Sequence, residues 1–166
     1  AERAKDFPNK PVFFLGCGEG HWHEHLFQAR SLTTTAASES GPRAFTMAGL
    51  GPQDMDFAQV YDCFTPVAIM ELEDLGFCAK GEGGGFVENG NIELGGTIPV
   101  NTHGGLLSHS HTGHPGTMFA LTESVTQLRG TGGGRQVAGA EVGLVHGQGG
   151  VISSHSTLIL GTEATL

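Results

Sequence analysis

The sequence has few basic side chains and lacks any long apolar run. Its 166 residues carry 8 Lys+Arg against 17 Asp+Glu, which gives a formal net charge of −9 at pH 7. Nucleic acids and anionic membranes bind clusters of basic residues, so this balance argues against both as partners. No apolar run approaches the ~20 residues that span a bilayer. The charged first ten residues, AERAKDFPNK, are not expected to act as a signal peptide.

Cysteine is also scarce, which bears on the compartment of the protein. The chain has three cysteines, Cys17, Cys63 and Cys78, an odd number without a C-x-x-C pair. This pattern argues against a disulfide framework and favours a reduced, cytoplasmic setting. Cys17 and Cys78 are predicted to be buried, unreactive thiols.

Glycine, by contrast, is abundant, with 28 residues against 7 prolines. Because the glycines follow no short period and proline content does not match them, they indicate neither collagen nor a disordered linker. We expect them to serve tight turns and close backbone approaches in a globular fold. The runs at 83–85 and 132–134 lack the G-x-x-x-x-G-K-[ST] pattern of a phosphate loop and are predicted to be turns.

The spacing of apolar residues predicts one α/β domain over residues 1–166, in which helices cover a mixed sheet. Residues 1–9 are expected to be the end of a preceding segment or a linker. Predicted strands cover 10–16, 55–61, 136–145 and 151–160, the last two as a hairpin, and predicted helices cover about 33–47, 65–75 and 116–128. Loops are predicted at 16–25 and 79–96, and the acidic side chains Glu71, Glu73 and Asp74 are predicted to face solvent.

Three segments concentrate reactive side chains: 61–64, 101–114 and 146–150. Each is predicted at a strand end, a helix start or a hairpin tip, where α/β sheets form ligand crevices, so the three are expected to converge. Cys63 would precede a helix, whose N-terminal end favours a thiolate. Taken singly, each feature is also typical of a core cysteine or of a histidine that bonds a loop.

His21, His23 and His25 alternate along the chain, which leaves two interpretations open. On one face of a strand they would be able to hold zinc. A polar loop near the mouth of the active site is the interpretation that we favour.

Five motifs follow one another along nearly the whole chain. They are Y-D-C-F at 61–64, N-T-H-G-G at 101–105, S-H-S-H-T-G-H-P-G at 108–116, Q-L-R-G at 127–130 and H-G-Q-G-G at 146–150. In this order and spacing they resemble the C-terminal half of a thiolase. The resemblance is to the sterol-carrier-protein-x type and its thiolase-like relatives in bacterial lipid and steroid side-chain breakdown.

The resemblance implies half of a five-layered fold that is built from two similar αβα halves. It also implies chemistry on acyl-CoA thioesters. In that family a nucleophilic cysteine of the N-terminal half takes up the acyl group, and a histidine of a G-H-P motif activates it. A second cysteine moves the proton at the α-carbon of the other acyl-CoA, and a polar residue helps to form an oxyanion hole.

Carried over to this sequence, the resemblance makes Cys63 the candidate acid/base. Tyr61 replaces the histidine of the family's H-D-C-F motif, and some thiolase-like aldolases that cleave steroid side chains use tyrosines for proton transfer. His111 matches the G-H-P histidine by spacing, with His114 of the literal G-H-P-G as the second choice. His146 falls near a catalytic cysteine of biosynthetic thiolases, so it either lines the site or bonds a turn. The implied substrate-binding residues are Asn101, His103, Gly104, Gly105, Gly149 and Gly150.

The resemblance also implies what the chain works with. No cysteine here matches the nucleophile motif, so we expect an N-terminal half on another chain, with the start at AERAKDF near the junction. A zinc-ribbon/OB-fold protein that binds acyl-CoA is a further expected partner, in a dimer or hetero-oligomer. Coenzyme A enters as part of the substrate, and no bound cofactor or metal is expected. The alternatives are a non-catalytic acyl-CoA or lipid-binding scaffold, a retro-aldolase acting on a steroid side-chain CoA ester, and a histidine-based metal module.

Overall fold

The computed structural model describes residues 2–113 and 115–166, and its centre is a mixed sheet of four strands. The strands are β1 (Phe13–His21), β2 (Phe57–Gln59), β3 (Val142–Gly149) and β4 (Ser154–Gly161). The α-helices are α1 (Ala37–Ala48), α2 (Thr65–Asp74), α3 (Gly83–Glu88) and α4 (Gly116–Leu128), with a π-helical turn at Leu106–Ser110. The predicted α/β class with a mixed, helix-covered sheet is confirmed.

The strands lie in the order β1-β4-β3-β2. The β1–β4 and β3–β4 pairs are antiparallel, whereas β2 runs parallel to β3. Alternate residues of β3 enter two separate apolar cores, since Leu144 packs with α1 and α2 while Val145 packs with α4. The sheet therefore lies between helices, and the β2 end of the sheet leads directly into α2.

Strand β1 extends further than predicted, because residues 17–21 pair with β4 instead of forming a loop. Gly16, Gly18 and Gly20 face α1, and a Cβ atom at Gly18 would overlap the Ser40 carbonyl group. Alternating glycines thus allow the helix to lie close to the strand. Cys17, between two of these glycines, is exposed beside Met47 of α1, so its predicted burial is wrong.

The acidic end of α2 does not face solvent, contrary to the prediction. Glu71 is fully buried, and the side chains of Glu73 and Asp74 are 9% and 2% exposed. Glu73 accepts a hydrogen bond from the Gly83 N–H and Asp74 accepts one from the Thr35 N–H, and Lys80 forms ion pairs with both at 3.1 and 2.7 Å. These contacts hold α2 against its neighbours and offset the cost of burying the carboxylates.

The second half of the chain follows the prediction more closely. Helix α4 has its predicted bounds, and β3 and β4 form the predicted hairpin. The hairpin turn lies after Gly149 rather than at His146, which is an interior residue of β3. The run 83–85 opens the short helix α3, so it is not a simple turn. None of the helices in the described parts of the chain is long and apolar enough to cross a membrane.

Candidate active site

The segment 61–63 forms the loop between β2 and α2. Cys63 is half-buried there, and Gln148 near the end of β3 donates a hydrogen bond from Nε2 to Cys63 Sγ at 3.6 Å. Because β2 and β3 are parallel neighbours, their ends meet at one edge of the sheet. Cys63 therefore lies between a strand end and a helix start, as the sequence predicted.

The environment of Cys63 favours the thiol over the thiolate, contrary to the sequence-based expectation. Burial raises the pKa of Cys63, and the nearby Glu71 carboxylate raises it further. The hydrogen bond from Gln148 acts in the opposite direction but is outweighed. A protonated thiol in this position is suited to donate a proton rather than to attack as a nucleophile.

Tyr61, two residues before Cys63, contacts the ring of His111. Their ring centroids are 6.3 Å apart with an edge-on angle of 62°. Burial raises the pKa of Tyr61, and the charges of Cys63 and Glu71 add to this effect, so the phenol keeps its proton at neutral pH. The Tyr61 backbone N–H donates to Glu71 Oε2 at 2.8 Å, which fixes the loop against α2. The phenol is therefore available as a hydrogen-bond donor.

Asn101 fastens the second predicted segment to the end of β2. Its N–H donates to the Ala58 carbonyl group at 3.0 Å, and its side-chain Oδ1 accepts the Val60 N–H at 2.9 Å. The backbone of Asn101 is left-handed, with φ +51°, a conformation that asparagine tolerates better than most residues. Asn101 thus positions its segment through the backbone of β2.

Gly104 and Gly105 carry the chain from Asn101 into the π-helical turn. Both have positive φ angles, +105° and +64°. A Cβ atom at Gly105 would overlap the Asp62 carboxylate, which itself accepts the Leu106 N–H at 2.6 Å. Asp62 thereby joins the Y-D-C-F loop to the N-T-H-G-G segment, and only glycine fits at position 105.

His103 points away from Cys63 and toward α4. Its Nδ1 lies 3.0 Å from Gln59 Oε1, and its ring meets that of His109 edge-on. Both histidines line a cavity of about 300 Å³ beside α4. Burial lowers the pKa of His103, so the ring is neutral at pH 7.

His111 follows the π-helical turn and is exposed beside Tyr61. This places one of the two candidates for the G-H-P histidine at the loop that carries Cys63. The second candidate, His114, lies outside the described residues. The assignment of the catalytic histidine to His111 stays a prediction.

His146 is fully buried within β3, not exposed at a hairpin tip. Its Nδ1 lies 2.9 Å from Thr157 Oγ1, and its Nε2 lies 2.9 Å from His155 Nδ1 and 3.6 Å from Glu71 Oε1. Burial lowers the pKa of His146 well below its usual range, and His155 lowers it further. The imidazole is therefore neutral, and it contacts Thr157, His155 and Glu71 in the interior; a role of His146 in the site stays a prediction.

Sequence reasoning missed two members of this buried cluster, Glu71 and His155. Each carried a signal in its spacing. Glu71 follows Val67 by one helical turn, and both are on the buried face of α2. His155 alternates with Thr157 and Ile159 on one buried face of β4. Gln148, the hydrogen-bond donor to Cys63, was missed as well.

The remaining predicted residues lie at the end of the β3–β4 hairpin. Gly149 ends β3, and Gly150 begins the turn with φ +63°. Gly149 lines an open pocket of about 640 Å³ together with Gln148, His155 and residues of β1. This pocket lies next to Cys63 because Gln148 contacts both.

The alternating histidines near the end of β1 have three different neighbours. The His21 ring contacts Ser154, His23 lies against the Val151 carbonyl group, and His25 stacks on Phe27. Their side chains do not converge on one point, which argues against the zinc site considered from the sequence.

Glu123 on α4 binds the 101–105 segment through Thr102 and forms an ion pair with Arg135. It accepts hydrogen bonds from Thr102 Oγ1 at 2.7 Å, Gln127 Nε2 at 2.8 Å and Arg135 Nη2 at 2.9 Å. Burial by itself would raise the pKa of Glu123, but these hydrogen bonds, that from Arg135 above all, outweigh it and lower the pKa. Its charge is therefore part of the stability of this segment.

We expect Glu123→Gln to lower the free energy of unfolding by about 2 kcal/mol at pH 7, because hydrogen bonds to a charged group contribute roughly 1.5–3 kcal/mol. A carboxyl group whose pKa is lower in the folded state stabilises above its unfolded pKa, and this contribution fades as pH falls through the folded value. Urea unfolding of the wild type and the variant over a pH series measures this contribution to the free energy of unfolding. Glu88→Gln, at an exposed position, is the control, and equal stability of the two variants would contradict the assignment.

Comparison with known proteins finds a matching family and several similar proteins. Residues 18–162 match the family described as thiolase C-terminal domain-like. An acetyl-CoA acetyltransferase of Methanothermobacter thermautotrophicus is 40% identical over 151 residues, which are 90% of this chain and 39% of that protein. A 17-hydroxy-3-oxo-4-pregnene-20-carboxyl-CoA lyase of Mycobacterium tuberculosis is 39% identical over 166 residues, 97% of this chain and 42% of that one. A solved structure, described as an Ltp2–ChsH2(DUF35) aldolase, superposes with a TM-score of 0.87 at 34% identity. The match covers 100% of this chain and 43% of the chain in that structure.

Proposed function

Since the chain belongs to the thiolase C-terminal domain-like family, we propose that it forms the C-terminal half of an enzyme that makes or breaks a carbon–carbon bond next to an acyl-CoA thioester. The observation that carries this proposal is the position of the Cys63 thiol. It lies at a strand end and a helix start, held by Gln148 and flanked by Tyr61 and His111. A scaffold would need none of these side chains in this arrangement.

The chain spans 39% and 42% of the length of the two curated relatives described above. We propose that an N-terminal half with a nucleophilic cysteine completes the site. The described structural relative is named as an assembly of two components, which supports a heteromeric complex for this chain as well. An acyl-CoA-binding zinc-ribbon/OB-fold protein is our candidate for a further component.

The proposed roles follow from the proton states of the site. When the bond between the α- and β-carbons breaks, its electron pair moves onto the α-carbon and the thioester oxygen, and the α-carbon must then take up a proton. The Cys63 thiol, whose pKa is raised, supplies that proton. The Tyr61 phenol, whose pKa is also raised, donates a hydrogen bond to the developing oxyanion. His111, beside Tyr61, acts as the base.

Two reactions share these steps, and Tyr61 favours the second. In thiolysis, the nucleophilic cysteine takes the acyl group and free CoA releases it as a second acyl-CoA. In a retro-aldol reaction, His111 removes the proton of a β-hydroxyl group, the bond breaks to give a ketone or aldehyde, and no free CoA is consumed. Tyr61 in place of the family's histidine, and similarity to a lyase of a steroid-type CoA ester, support the retro-aldol alternative.

A test of free CoA separates the two reactions. The reconstituted complex is given matched β-ketoacyl-CoA and β-hydroxyacyl-CoA substrates, with and without free CoA, and products are identified by mass spectrometry. We expect cleavage of at least one substrate. Cleavage that requires CoA identifies thiolysis, and cleavage that does not identifies the retro-aldol reaction. Acyl-CoA binding without cleavage of either class would support the non-catalytic scaffold and contradict the proposal.

A further inference from the structure

A compact group of three metal-ligand side chains lies beneath the Cys63 loop, outside the acid/base machinery described above. Glu71 on α2, His146 on β3 and His155 on β4 are 0%, 0% and 2% exposed. One ligand atom of each lies within 4.8 Å of the ligand atoms of the other two. Three different elements thus bring a carboxylate and two imidazoles to one buried point.

The spacing of these atoms is close to that around a zinc ion. His146 Nε2 is 2.9 Å from His155 Nδ1 and 3.6 Å from Glu71 Oε1. Two ligands of a tetrahedral Zn²⁺ at bond lengths of 2.0–2.2 Å lie roughly 3.3–3.5 Å apart. Zinc binding would therefore require side-chain movements that bring all three ligand atoms to this separation.

Hydrogen bonds with neighbouring residues orient His146 Nε2 and Glu71 Oε1 toward this point. Thr157 Oγ1 lies 2.9 Å from His146 Nδ1 and 2.8 Å from Ser40 Oγ. The ring can therefore donate a hydrogen bond from Nδ1–H to the threonine, which leaves the Nε2 lone pair for a metal. The Tyr61 N–H holds Glu71 Oε2 at 2.8 Å. Glu71 Oε1 is buried without a hydrogen-bond partner among the described residues. A buried carboxylate oxygen that is left in this way points to a ligand.

We propose that Glu71, His146 and His155 form a binding site for Zn²⁺. Two neutral imidazoles and one carboxylate are a typical protein donor set for this ion. Burial raises the pKa of Glu71 well above its usual range, so zinc would displace the carboxyl proton on binding. The near-complete burial leaves little room for the exchangeable ligands of a redox-active iron site, which favours zinc.

The site is accessible from one side. His155 also lines the 640 Å³ pocket, whose wall includes Glu19, Glu39 and Arg43. Arg43 pairs with Glu39 at 3.2 Å, which offsets part of the negative charge of this wall. Because Glu71 holds the Tyr61 backbone, an ion at this point would fix the loop that carries Cys63.

Zinc binding by the purified chain tests the proposal. After chelator treatment, zinc is added in competition with a chromogenic chelator, and bound metal is counted by mass spectrometry. We expect one equivalent for the wild type and for His25→Ala, which removes an exposed histidine outside the cluster. We expect His155→Val and Glu71→Gln each to raise the Kd for zinc at least ~100-fold, since the removal of outer contacts alone costs 10–100-fold.

Two outcomes would overturn the proposal. One is a wild-type chain that binds no zinc, which would leave the cluster as a hydrogen-bonded triad. The other is unchanged affinity in the His155→Val variant, which would place the ion on surface histidines. If His155→Val and Glu71→Gln fail to fold, X-ray absorption of the zinc-loaded wild type decides. Two imidazoles and one carboxylate at about 2.0–2.2 Å support the site, and a shell without imidazole contradicts it.

Discussion

Replacing Cys63 with alanine is expected to lower kcat of the reconstituted complex by about 10²- to 10⁴-fold, the usual contribution of a positioned acid or base. The effect should fall on kcat rather than on KM, because the thiol acts on the α-carbon and is too small to hold much of the substrate. Since burial and Glu71 raise the pKa of Cys63, the wild-type rate should persist above the usual thiol pKa and decline only at higher pH. Steady-state kinetics over a pH series measures kcat, KM and the pH dependence of the rate.

The chain contains its own controls for this substitution. Cys17 is exposed on β1 and Cys78 is half-buried outside the site loop, so Cys17→Ala and Cys78→Ala remove a thiol without touching the proposed chemistry. Both should keep kcat within about twofold. Turnover by Cys63→Ala at the rate of these controls would show that the thiol has no part in the reaction.

Replacing Gly105 with alanine is expected to lower the free energy of unfolding by about 2–6 kcal/mol. Two costs combine: a backbone at φ +64° and ψ −166°, which essentially only glycine adopts, costs a residue with Cβ roughly 1–3 kcal/mol, and forced overlap in a packed site costs a further 1–3 kcal/mol. The overlap is with the Asp62 carboxylate, which also binds the Leu106 N–H. The substitution should therefore also displace the loop that carries Cys63. Urea unfolding gives the stability.

Gly133→Ala is the control for the overlap. Gly133 also has a positive φ, +61°, but nothing lies within 4 Å of the position that a Cβ atom would take. Its cost should be the backbone term alone, about 1–2 kcal/mol. If the two variants lose the same stability, the contact between Gly105 and Asp62 does not hold the two motifs together.

The parts of the fold that the sequence predicts well are those with local signals. Helix α4 has its apolar residues at helical spacing and a glycine after its end, and its bounds are as predicted. The β3–β4 hairpin shows alternation on both strands. The position of Cys63 at a strand end also follows from local pattern, because a short apolar strand precedes it and Pro66 marks the helix start.

The errors arise where distant contacts override the local pattern. Glu71 belongs to a charged run, which usually faces solvent, and only the Tyr61 N–H and the buried histidines explain why it is inside. The thiol state of Cys63 has the same cause, since burial and Glu71 together outweigh the helix N-terminus. In β1 the glycines suggested a loop, yet their alternation allows α1 to approach the strand.

Exchange of the α-proton of an acyl-CoA tests the central claim most directly, because thiolysis and the retro-aldol reaction both pass through proton transfer at that carbon. The complex is incubated with acyl-CoA in D₂O, and mass spectrometry follows the uptake of deuterium. The account predicts uptake by the wild type and by Cys17→Ala, and a loss of at least ~100-fold in Cys63→Ala. Acyl-CoA that binds to the wild-type complex without taking up deuterium, or uptake that is unchanged in Cys63→Ala, would contradict it.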